Sequence, residues 1–98
     1  GAPVNVSFVV DGYNITVTWE PPASNANSLD CYYVVTGTKY LSTNGVFDGI
    51  SNAKVTYVAG SARECVLNVT NSGEYAIGVR ACNRFGTGPY GFSLGEIV

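Results

Sequence analysis

Residues 73–88, GEYAIGVRACNRFGTG, decide the fold of this chain. Tyr75, Ile77, Val79 and Ala81 recur at every second position, with Ala76, Gly78, Arg80 and Cys82 between them. Successive side chains of a β-strand point to opposite faces. The spacing therefore predicts a strand over 74–83 whose Tyr75–Ala81 set enters a core. The stretch then runs into glycines at Gly86 and Gly88, which read as a tight hairpin turn. Cys82 is one step out of phase with the apolar set, so it is expected on the outer face.

The same alternation extends outward from this strand. Residues 13–20, YNITVTWE, place Ile15, Val17 and Trp19 on one side, and Pro21-Pro22 ends the run because proline cannot donate to a ladder. Residues 4–10 alternate loosely. Residues 31–40, CYYVVTGTKY, put Tyr32 and Val34 on the face taken as inward, with Cys31, Tyr33 and Val35 opposite. Asn44-Gly45 is a tight-turn signal, with a short extra strand expected at 46–50. Further strands are expected over 54–58, 63–69 and 89–97. In the 63–69 strand the reading buries Cys65 and Leu67, with a local irregularity. No segment carries a capped helical period, so seven short strands in one domain spanning 1–98 predict an all-β antiparallel sandwich. Gly1-Ala2 is compatible with a cloning remnant, and Pro3 reads as the end of an interdomain linker.

Composition narrows the function. The 98 residues are 46% hydrophobic and only 12% charged, about half the usual charged share, which argues against disorder. A net charge of −2 offers no basic field for nucleic acid or an anionic membrane. There is no apolar run of about 18 residues to span a bilayer, and any signal peptide lies outside this stretch. Histidine is absent, which removes the commonest general acid–base. With three cysteines and no CxxC, a zinc site is not expected. The acids Asp11, Glu20, Asp30, Asp48, Glu64, Glu74 and Glu96 are scattered along the chain, and FGTGPYG lacks the lysine and helix of a phosphate loop. No enzyme and no cofactor are expected.

ITVTWEPP, followed some 50 residues later by GEYAIGVRACNRFGTGPYG, resembles the fibronectin type III domain. Trp19 before Pro21-Pro22 matches that family's core tryptophan. Tyr75 matches its corner tyrosine, and Ile77, Val79, Ala81, Asn83 and Gly86 continue its pattern. Val69 stands where a leucine is usual. The competing immunoglobulin pattern needs its tryptophan on another strand and a cysteine two after the corner tyrosine, where this chain has Ile77. The resemblance covers the whole chain and implies two sheets, A-B-E and C′-C-F-G. The chain departs from the family at 41–53, a C–C′ stretch that looks like an insertion.

Several site expectations follow from that frame. The sequons at Asn5, Asn14 and Asn68 lie on strands of the A-B-E sheet, outward on the alternation, and mark N-glycosylation sites. In the family's arrangement C and F are antiparallel neighbours. Cys31 and Cys82 are both expected outward, which makes them candidates for a cross-strand disulfide, with free thiols as the alternative. Cys65 remains as a small buried hydrophobe. The outer face of the C-F-G sheet is expected to show Tyr33, Val35, Ala76, Gly78 and Arg80, a partner face unless the insertion covers it; Tyr and Arg are enriched at binding hot spots. Trp19 and Tyr75 are structural, with the Tyr75 hydroxyl expected on backbone near the E–F corner. The Arg-Gly-Asp adhesion motif is absent.

The resemblance implies a non-catalytic extracellular module of a receptor or adhesion protein. Such a module binds protein partners or neighbouring domains of its own chain, or spaces them, and it neither binds nucleic acid nor enters the membrane. The alternatives are an accessory domain of a secreted enzyme and an intracellular scaffold module.

Overall fold

Among the described residues, 2–22, 32–44, 46–83 and 86–97 of a computed structural model, the alternating segments become seven strands. They are β1 (Val4–Asp11), β2 (Asn14–Glu20), β3 (Tyr32–Thr43), β4 (Val46–Ala59), β5 (Glu64–Asn68), β6 (Gly73–Asn83) and β7 (Gly86–Ile97). All pairings are antiparallel, in a three-stranded sheet β1-β2-β5 and a four-stranded sheet β4-β3-β6-β7. These are the A-B-E and C′-C-F-G sheets of a fibronectin type III-like sandwich.

Period two is what fills the space between the sheets. From β2, Ile15, Val17 and Trp19 point inward; from β6, Tyr75, Ile77 and Val79 do so, with Ala81 packed beside them. Burying each such aliphatic side chain contributes roughly 1.5–3 kcal/mol. Trp19 lies against Tyr33 with ring centroids 5.4 Å apart, within the range of favourable tilted pairs. The Tyr75 hydroxyl donates to the Asn71 carbonyl at 2.8 Å, which ties the start of β6 to the turn leaving β5.

Three expectations need correction. First, β3 is turned over: Tyr33 and Val35 are buried at 2% and 0% exposure, and Tyr32 is exposed at 41%. The segment YYVV is apolar at both parities, so alternation alone fits either face. Register decides, because Tyr33 and Val35 stand opposite inward-facing Ala81 and Val79. Second, β5 needs no irregularity: Cys65, Leu67 and Val69 are two apart, all buried, and the pairing with β2 is unbroken. Third, no separate strand occupies 46–50. The insertion is part of one long β3–β4 hairpin that turns at Asn44, whose φ of 53° suits a tight turn. Register shifts at Gly37/Thr38 and Leu41/Ser42 absorb its extra residues. β7 also starts earlier than expected, at Gly86.

Candidate functional site

The strand β7 is amphipathic the wrong way round. Gly91, Gly95 and Ser93 lie on its inner face, while Phe92 (61% exposed) and Leu94 (68%) face solvent. The cause is on the inner side. A Cβ at Gly91 would run into the Pro3 carbonyl, and one at Gly95 would sit 2.5 Å from the Phe8 ring. The first strand and its lead-in fill the volume that β7 side chains would otherwise take. The large apolar residues of β7 therefore decorate the outer face.

That face is built in cross-strand rows. Tyr57, Val34, Arg80 and Tyr90 form one row; Val55, Thr36, Gly78 and Phe92 the next. Gly78 is the floor: a Cβ there would meet Phe92, Tyr90 and Thr36 at 3.0 Å. Tyr90 and Phe92 stack at 5.4 Å, and Tyr32 and Tyr57 pair at 6.3 Å. Val55 and Tyr57 are 48% and 69% exposed. The face spans roughly 14 by 20 Å at ordinary strand spacings.

Arg80 is held at one side of this field. Its Nε donates to the Gly88 carbonyl at 3.0 Å, its Nη2 to the Thr87 hydroxyl at 2.9 Å, and its guanidinium lies 4.6 Å from the Tyr90 ring centroid. Such anchoring reduces the rotamer entropy lost when a partner docks. At the far end Glu74 and Glu96 stand directly opposite each other. With Tyr40, Tyr75, Leu94 and Gly95 they line an open depression of about 330 Å³. The face is thus apolar in the middle, cationic at one side and anionic at one end. Among the described residues no group of three or more His, Cys, Asp or Glu could hold a metal ion.

The outer face of this sheet differs in its members from the expected one. Arg80 belongs to it, half-buried beside Tyr90. Gly78 and Ala76 form its buried floor. Tyr33 and Val35 belong to the core, and their places are taken by Tyr32 and Val34. Sequence reasoning missed Tyr57, Phe92 and Leu94. Their signal was present in the alternation of 54–58 and of YGFSL, but it reads as burial until β1 is known to occupy the inside.

Cys31, the expected bridge partner of Cys82, lies outside the described residues. Cys82, expected on the outer face, is a buried thiol, and the residue opposite it is Tyr32. The nearby Cys82 thiol, burial and Tyr57 raise the Tyr32 hydroxyl above its usual value, and Arg80 lowers it. Cys65 is a second free buried thiol, pushed up by burial.

The sequon asparagines are exposed on the opposite sheet. Asn5, at φ 54°, donates to a Glu20 carboxylate oxygen at 2.7 Å. Asn14 and Asn68 face each other across β2 and β5, with the Asn68 amide donating to the Asn14 side-chain oxygen.

No protein-family model matches this chain, and no curated protein sequence matches it. Solved structures do. The third fibronectin III domain of human KIAA0343 protein is 24% identical with a TM-score of 0.75, over 99% of this chain and 81% of that one. Domains d3-d4 of the rat CD45 extracellular region give 17% identity and 0.71, over 98% and 48%. The fn3 domain of human collagen alpha-1(XX) chain gives 18% and 0.68, over 100% and 85%. At these identities the likeness establishes the fold.

Proposed function

We propose that this domain is a non-catalytic module of an extracellular receptor or adhesion chain, and that it engages protein through the outer face of its four-stranded sheet. The observation that carries this reading is β7, which turns Phe92 and Leu94 to solvent beside an anchored arginine. Aromatic residues and arginine dominate binding hot spots. Support for the compartment comes from the CD45 extracellular region among similar folds and from three exposed sequons on the sheet that leaves this face clear.

The test is binding of the tetramerised domain to the surface of cells from its source organism, for the parent and for the double variant Phe92→Asp, Leu94→Asp. Loss of binding with an unchanged melting temperature supports the reading. Equal binding by both removes the face from it. The two buried free thiols favour a second reading, an intracellular scaffold module, because reduced compartments keep thiols free. A glycosidase-sensitive mass shift in the native protein would reject that alternative.

A further inference from the structure

The edge of a sheet is a row of unpaired backbone groups, and natural sheets blunt their edges. Among the described residues, three of the four edge strands are blunted. β1 has a bulge between Val4 and Ser7, with Asn5 in the left-handed region. β5 has only five residues. β7 carries Pro89, which has no N–H to give. β4 differs. Its distal half is broken by two register shifts, but Lys54–Ala59 runs opposite Gly37–Tyr32 without interruption. This run, KVTYVA, holds no glycine or proline and one charge. Val55 and Tyr57 are exposed on its outer face. A short, β-prone, nearly uncharged segment on an open edge recruits another strand.

We propose that this run is a self-association site. The β4 strand of a second copy pairs with it, antiparallel, about a two-fold axis at Tyr57, and joins two four-stranded sheets into one of eight. The run is self-complementary in this register. Residues directly opposite in an antiparallel pair share a face. With the axis at Tyr57, Val55 meets Ala59 of the partner subunit, Thr56 meets Val58 of the partner subunit, and Tyr57 meets its own copy. Outer residues meet outer residues. The charge pattern fits: Lys54 falls opposite Gly60 of the partner subunit, so the two ammonium groups stand about 20 Å apart. An axis at Thr56 would instead set Lys54 opposite Val58 of the partner subunit, on the side where Val58 packs against the core. Five paired residues bury far less than the roughly 800 Å² per partner of a standard interface, so the dimer is weak and depends on concentration. It doubles the apolar outer face, and it does not depend on the function proposed above.

Sedimentation velocity from about 1 to 500 µM reads the association, and cysteine cross-linking reads the register. In a Cys31→Ser background, Tyr57→Cys places two thiols across the axis with Cα atoms about 5 Å apart, within disulfide range. Val55→Cys places them about 13 Å apart. The expected result is a concentration-dependent dimer, at least tenfold more cross-linking for Tyr57→Cys than for Val55→Cys, and several-fold weaker association for Tyr57→Lys with an unchanged melting temperature. Both positions are exposed, so the variants fold. A monomer throughout the range overturns the proposal. So does equal cross-linking at both positions, which would mean random collision, or an edge that pairs only with a strand of another protein.

Discussion

Replacing Tyr75 with Phe removes one oxygen and leaves the packing intact. The ring is 1% exposed, so the substitution opens no cavity that solvent could fill. What is lost is the hydrogen bond to the Asn71 carbonyl at 2.8 Å. A typical bond contributes about 0.5–1.5 kcal/mol net, and stranding a buried partner costs about 1–3 kcal/mol. Asn71 itself is exposed, so its carbonyl can regain water, and the loss falls near the lower figures, about 1–1.5 kcal/mol. For a domain of this length that is a fall of about 4–12 °C in Tm. Urea denaturation followed by Trp19 fluorescence measures it, with an unchanged slope as the check on two-state behaviour. Tyr13→Phe is the control, because its hydroxyl meets Ser72 at 3.4 Å on the surface and its loss should cost close to nothing. Equal effects for Tyr75→Phe and Tyr13→Phe would refute the corner as a stabilising feature.

Three further outcomes follow from the same contacts. Gly91→Ala should destabilise more than Gly95→Ala, within the roughly 1–3 kcal/mol of overpacking, because the first meets the Pro3 backbone and the second the tip of the Phe8 ring; thermal melts in the reverse order would contradict the account of β7. Leu94→Ser, at a position 68% exposed, should change stability by less than about 0.5 kcal/mol, and a larger loss would mean the outer face serves the fold. Burial, and secondarily Tyr13, raises the Tyr75 hydroxyl above its ordinary 10.0, and burial raises the Cys65 thiol above 9.0. The unfolded chain releases these protons first, so stability is full below about pH 9 and falls as pH rises through the two groups' folded values. Melts that stay flat to pH 11 would contradict this, and Tyr75→Phe should remove part of the slope.

The alternation of β2 and β6 made the strands and their core residues legible, while the two sheets and their strand order were legible only through the resemblance carried by Trp19, Pro21-Pro22 and the Tyr75–Gly86 pattern. The face of β3 was not legible. Its YYVV run satisfies burial either way, and only the register against Val79 and Ala81 resolves it. One inverted strand moved Tyr33 and Val35 out of the candidate site and into the core. Arg80 held its place because β6 is fixed by Tyr75. The outward aromatic row of β7 follows from a contact distant in sequence, Pro3 and Phe8 against Gly91 and Gly95, which local alternation does not reveal.

The central claim is that the outer face of the four-stranded sheet contacts protein. Hydroxyl-radical footprinting, comparing the isolated domain with the full native chain in its own assembly, tests this without knowing the partner. The account predicts that Tyr57, Phe92 and Leu94 lose reactivity in the native assembly, while Val9 and Val66 on the opposite sheet, and Tyr13 in the turn between β1 and β2, keep theirs. Protection confined to Val9, Tyr13 and Val66, with the outer face equally reactive in both samples, would contradict it.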